Sequence, residues 1–205
     1  MNGLYRTPDQ IKHRQQVCRD LLDAIHEDSS NSHTLLETII DEYTYCDAIG
    51  KSAKDPVLVL KELETQKYLG GVLAIANNIS DFCSKISVVS ILGSKKEYKK
   101  FIDDNLSNKI KAKFFYKKNS QTITKKRYVD KNSKNKILGV YNLFDDEVNS
   151  LEINFIKKYL SNNLKNFDIV MVVDYGHGFL SNSTINLIHK KSKYLSINCQ
   201  INSSN

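Results

Sequence analysis

The stretch Phe167-Asp168-Ile169-Val170-Met171-Val172-Val173-Asp174 most restricts what this chain can become. Its apolar residues are consecutive and mostly β-branched, with an aspartate at each end. They neither alternate like a half-wet strand nor recur at helical spacing. A strand that is apolar on both faces must be covered on both, as in the interior of a parallel sheet flanked by helices. Ile86-Ser87-Val88-Val89-Ser90-Ile91-Leu92-Gly93 reads as a second buried strand, closed by glycine. Helical spacing over residues 72–82, 95–106, 148–164 and 183–191 separates the strand candidates, and 193–198 reads as a further strand. Strands alternating with helices predict an α/β fold with a mostly parallel sheet.

Other stretches alternate. Residues 112–116, 122–129 and 136–143 interleave charged and apolar side chains, which predicts strands with one wet face. Together with the short apolar run Val57-Leu58-Val59-Leu60 they predict a small β-lid, with strands near 57–69 and 112–143. Residues 35–45 are rich in β-formers and predict a strand ending near Asp41. The N-terminus reads differently. Thr7 can cap a helix over 8–27, Pro8 suits its first turn, and Ile11, Val17, Leu21, Leu22 and Ile25 form a stripe. A polar break follows at residues 28–32. The expected organisation is a helix and linker over 1–33 and a main domain over 34–205.

Bulk properties narrow the function classes. The 205 residues are 40% hydrophobic and 26% charged, an ordinary globular balance. No apolar run reaches the roughly 18 residues of a membrane span, and the N-terminus lacks the apolar core of a secretory signal. A cytoplasmic location without membrane attachment is the default expectation. The net charge of +7 invites a nucleic-acid partner. The lysines are dispersed, however, and no segment interleaves arginine with aromatics as a stacking platform would. Lys95-Lys96-Glu97-Tyr98-Lys99-Lys100 reads as a solvated helix face, so nucleic acid is not expected. Cys18, Cys46, Cys83 and Cys199 are too scattered for a metal site and read as free thiols.

Four separated motifs carry candidate chemistry. In Glu37-Thr38-Ile39-Ile40-Asp41-Glu42-Tyr43, a carboxylate at the carboxyl end of a parallel strand would face the crevice where α/β sheets bind ligands. It can accept hydroxyl hydrogen bonds there, or merely cap a loop. In Gly70-Gly71-Val72-Leu73-Ala74-Ile75-Ala76-Asn77-Asn78, two glycines open a helix and allow close backbone approach, whether to a ligand or in a plain turn. In Gln121-Thr122-Ile123-Thr124-Lys125-Lys126-Arg127-Tyr128-Val129, Lys125 and Arg127 project from one strand face and suit an anion, or form a solvated surface. Asp174-Tyr175-Gly176-His177-Gly178 is a glycine turn that closes the buried strand, with His177 either a ligand or a turn residue.

In this order the four motifs resemble the ribokinase/PfkB carbohydrate kinases, and specifically the heptose-kinase-like branch that is found fused to cytidylyltransferase domains. The resemblance implies a ribokinase-like sheet flanked by helices with a small β-lid. It implies ATP-dependent phosphorylation of a sugar or sugar phosphate, with Mg-ATP as the cofactor of the complete enzyme. It implies that Asp41 and Asp174 hold sugar hydroxyls, Gly70 and Gly71 approach the ring, Asn78 contacts substrate, and Lys125 and Arg127 meet a phosphate. Two departures stand out: Ala74 replaces a common asparagine, and His177 stands where lysine is common. The family's late Gly-Ala-Gly-Asp motif, which supplies the catalytic base and anion hole, does not occur in these 205 residues. The expectation is a truncated, N-terminal part of the fold that is inactive alone. A homodimer through the lid is implied, as is a fused or separate nucleotidyltransferase domain, although no His-x-Gly-His motif is found. Two other readings remain open at this point: a non-catalytic sugar-binding or regulatory module, and a basic domain that binds polyanions.

Overall fold

The computed structural model describes residues 31–35, 37–143 and 148–199. The helix expected over 8–27 lies outside them. Two sheets form. The larger contains β1 (Asn31–Leu35), β4 (Lys85–Gly93), β5 (Ile110–Lys117), β8 (Ile169–Asp174) and β9 (Tyr194–Cys199). Its order is β5-β4-β1-β8-β9, and every neighbouring pair is parallel. The smaller contains β2 (Thr38–Lys51), β3 (Leu58–Gly70), β6 (Ile123–Asp130) and β7 (Lys136–Asn142) in the order β3-β2-β6-β7. There β2 and β6 run parallel, and β3 and β7 flank them antiparallel.

The helices are α1 (Gly71–Ile79), α2 (Lys99–Asn105), α3 (Ser150–Asn163) and α4 (Asn182–Lys191). Asn149 starts α3 with a capping box, accepting from the Glu152 amide while the Glu152 carboxylate returns to the Asn149 amide. The apolar run that opened the sequence reading becomes β8, where residues 169–173 are all buried. Burial of successive residues means that both faces of the strand are covered. The core joins β4 and β8 to Leu73 and Ala76 of α1, Ile102 of α2, Ile156 and Leu160 of α3 and Ile188 of α4.

Two strand assignments differ from the sequence expectation. Residues 112–116 belong to β5 in the larger sheet, paired in parallel with β4, and not to the lid. β5 is an edge strand, so lysines can alternate along it without entering the core, and its pattern imitates a one-faced lid strand. The second difference concerns Asp41. The β-rich stretch of residues 35–45 is two strands in two sheets, broken at Glu37. β1 ends at Leu35, and Asp41 is the fourth residue of β2 in the smaller sheet. Asp41 therefore does not close the first strand of the parallel sheet. That strand does lie beside β8, as expected of the strand next to the one ending at Asp174.

Candidate functional site

The smaller sheet gathers charge on one face. β2 alternates strictly, so Ile40, Glu42, Thr44 and Cys46 are buried on one side, while Asp41, Tyr43 and Tyr45 point to the other. Register then sets their neighbours. Asp41 lies opposite Tyr68 on β3 and Lys125 on β6, and Lys125 lies opposite Tyr141 on β7. One row across the sheet thus reads Tyr68, Asp41, Lys125, Tyr141. In the next row Tyr43 lies opposite Arg127.

Arg127 Nη1 donates to Asp41 Oδ1 in a partly buried ion pair, with side-chain exposures of 16% and 25%. The guanidinium also stacks between rings, 5.3 Å from the Tyr43 centroid and 5.5 Å from that of Tyr141. Lys125 Nζ lies 6.0 Å from the Tyr141 ring and 5.8 Å from the Tyr175 ring. Burial holds the Lys125 ammonium below its ordinary pKa, against the pull of Asp41 in the other direction. The second contact matters most for the architecture, because Tyr175 belongs to the turn after β8. The cationic face of the smaller sheet therefore looks onto the carboxyl end of the larger one.

Gly70 sits against Asp41. A Cβ at position 70 would press on Asp41 Oδ2 and the Ile39 carbonyl oxygen, so a larger residue would displace that carboxylate. Gly71 follows with φ of +56°, and a Cβ there would lie 2.5 Å from the carbonyl oxygen of Glu37. That carbonyl accepts from the Val72 amide at 3.3 Å. The Gly-Gly pair thus lets the β3–α1 connection press against the β1–β2 connection at the root of the lid.

Glu37 escaped the sequence reading as a site residue. Its side chain is fully buried, and its carboxyl group accepts from the Phe179 amide at 3.3 Å and the Tyr175 amide at 3.5 Å. Burial raises its pKa to about 7, and the nearby charge of Asp174 adds to the shift. Asp174 closes β8 and accepts from the Gly176 amide at 2.9 Å, and Gly176 and Gly178 take positive φ in the turn. His177 is buried within it. The one signal that could have found Glu37 is an acid interrupting a run of β-formers, where one strand leaves a sheet and the next enters another.

Of the residues singled out in the sequence, Asp41, Gly70, Lys125 and Arg127 meet in one cluster, with Gly71 beside Glu37 at its root. Asp174 does not sit next to Asp41 on one sheet; the two are in different sheets, joined through Glu37 and Lys125. Asn78 stands apart. It is exposed near the far end of α1, about 10 Å along the helix from Gly71. Its neighbour Asn77 is engaged instead in joining α1 to the end of α2, through the Asn105 carbonyl and the Ser107 amide. An apolar groove beside β5, lined by Phe115, Phe155 and Tyr159, is separate from the charged cluster. Among the described residues, no disulfide joins Cys46, Cys83 and Cys199. Among the described residues, no three His, Cys, Asp or Glu side chains are placed to hold a metal ion. No described helix is long and apolar enough to cross a membrane.

The parallel five-stranded sheet with its separate four-stranded lid superposes on solved structures. The chain superposes on Escherichia coli phosphofructokinase-2 with a TM-score of 0.64 at 12% identity, covering 83% of this chain and 54% of that one. The fold is ribokinase-like. A carbohydrate kinase from Agrobacterium tumefaciens superposes with a TM-score of 0.53 at 10% identity, covering 82% of this chain and 52% of that one. No family model matches the chain. By sequence it is similar to the bifunctional protein HldE of Campylobacter jejuni, at 28% identity over 160 residues, which is 78% of this chain and 32% of that protein. HldE of Desulfatibacillum aliphaticivorans is 25% identical over 163 residues, 77% of this chain and 32% of its own. The chain therefore spans about a third of the length of the curated relatives it matches. These relatives bear out the resemblance read from the four motifs.

Proposed function

We propose that this chain forms the sugar side of an ATP-dependent carbohydrate kinase acting on a sugar or sugar phosphate. The observation that carries the proposal is the Asp41 cluster: a carboxylate seated against Gly70, flanked by Lys125 and Arg127, on the lid face that looks onto the turn after β8. Asp41 offers acceptors for ring hydroxyls, and Tyr43 and Tyr141 offer ring faces. A phosphate group on the sugar would compete with Asp41 for Arg127 and approach Lys125, whose charge is only partly compensated. Asp174 and the glycine turn would close the other side.

Phosphoryl transfer needs a base and an anion-stabilising loop in addition to a bound sugar. The proposal assigns Mg-ATP to no residue described above, and assigns this 205-residue chain no measurable turnover by itself. Pairing of two copies through the lid fits its exposed apolar residues, among them Leu58, Leu138 and Val140. The similarity to bifunctional HldE proteins supports a role beside a nucleotidyltransferase domain in the whole protein.

Calorimetry with a panel of heptose and hexose phosphates tests the sugar side. Binding to the chain, lost in Asp41→Ala and weakened for phosphorylated over plain sugars in Arg127→Gln, is the expected result. Binding that survives Asp41→Ala would move the sugar elsewhere. An ADP-release assay with Mg-ATP checks the second point, and turnover near the usual enzymatic range of about 1–100 per second would overturn it.

A further inference from the structure

Three connections cross at Glu37. It lies between β1 and β2, its carbonyl meets the β3–α1 connection at Gly71 and Val72, and its carboxyl group meets the turn after β8 at Tyr175 and Phe179. We propose that Glu37 is a positioning residue that fastens the turn over residues 174–179 to the root of the lid, and that a proton on Glu37 governs how tightly the turn is held.

The groups facing it give the direction. From β8, Asp174 presents a second carboxylate, and from β6, Lys125 presents a cation that feels the charge of Glu37. The turn itself contributes the buried His177 and the ring of Tyr175. From β2, Asp41 shares Lys125, and from β9, Cys199 shares the field of Asp174. α1 contributes no titratable side chain. With its proton, Glu37 is neutral beside Asp174, and the Phe179 and Tyr175 amides donate to an uncharged acceptor. Without it, the buried Glu37 carries a charge beside the half-buried Asp174, and this repulsion, set against the stronger hydrogen bonds that the two amides make to a carboxylate, is eased if the turn withdraws or Lys125 is drawn inward. Burial favours the protonated form, as does the charge of Asp174, and together they outweigh the amide hydrogen bonds of Phe179 and Tyr175, which favour the carboxylate, so the exchange falls near neutral pH and not in the ordinary carboxylate range. On the sugar-side reading above, loss of this proton takes Lys125 away from an anionic substrate.

The test needs no ligand, so it stands or fails separately from the kinase reading. Amide chemical shifts of Tyr175 and Phe179 would be followed in the labelled 205-residue chain from about pH 5.5 to 8.5. Both should titrate together with a midpoint of about 7. In Glu37→Gln both should be flat, and in Asp174→Asn the midpoint should fall, because a like charge has been removed. Absence of a titration in the parent chain would overturn the proposal. So would a midpoint that persists unchanged in Glu37→Gln, which would assign the event to His177. Should Glu37→Gln not fold, an unmoved midpoint in Asp174→Asn overturns it as well.

Discussion

The two sheets divide the work of the molecule. In the larger one, β4 and β8 are buried residue after residue, and the strands contact helices from the rest of the chain. In the smaller one, β3 and β7 are mostly exposed, and β2 is buried on alternate residues from Ile40 to Cys46. A strand covered on both faces has no place for a charge, so β8 can offer chemistry only at its carboxyl end, through Asp174 and the turn beyond. A strand covered on one face can carry Asp41, Lys125 and Arg127 on the other without disturbing a core. Continuous burial is concentrated in one sheet and outward-facing charge in the other, and Glu37 stands where they meet.

Substitutions should expose that division, beginning with the largest effect. Leu160→Ala, in the core beneath the larger sheet, should cost about 2–5 kcal/mol in denaturant unfolding, and a cost under about 1 kcal/mol would mean that the core is elsewhere. Glu37 should produce a pH effect on the order of 3 kcal/mol. Its folded pKa is raised from 4.5 to about 7, so the folded state binds the proton more tightly. The stability it confers is fully present below pH 4.5 and is lost as pH rises through about 7. The quantity to measure is the parent chain minus Glu37→Gln; a difference that does not change with pH would refute the assignment.

A smaller effect is expected in the lid. Asp41→Ala leaves Arg127 without its carboxylate, but the pair is partly exposed, so thermal melts should register only about 1 kcal/mol. Sugar binding should disappear in the same variant, and a large loss of stability would show the pair to be structural. The smallest effect belongs to Leu138→Asp on the outer lid, within about 0.5 kcal/mol of the parent. The same change should shift any dimer toward monomer in analytical ultracentrifugation; an unchanged association state would exclude this lid surface as the contact.

Legibility in the sequence follows the same division. The runs that become β4 and β8 could be read directly, because continuous apolar sequence has few other uses. The alternating stretches that become β6 and β7 were readable as one-faced strands, and Lys125 and Arg127 as sharing a face. β5 was misplaced because the edge of a parallel sheet also has a wet side, and alternation does not say which sheet supplies it. Residues 35–45 were read as one strand because no glycine or proline marks the break at Glu37, where the chain changes sheets with an acid alone. That shift is why Asp41 was expected at the end of the wrong strand, and why its ion pair with Arg127, which was expected to meet a phosphate, was not read from the sequence. Asn78 was singled out by its place in a motif. On a helix, a residue seven positions beyond the Gly-Gly pair lies two turns away from it.

The parallel pairing of β2 with β6 has a consequence in time as well as in space. β2 and β3 form a hairpin and can zip together locally. Arg127 reaches Asp41 across 86 positions of sequence, and the intervening chain includes β4 and β5 of the other sheet. Closing so long a loop is slow, and it is favourable only once the intervening strands have docked. The carboxylate of Asp41 should thus exist in a half-built hairpin well before its cations arrive. The charged cluster becomes one of the last features to assemble, and its completion marks a chain that has finished folding in both sheets.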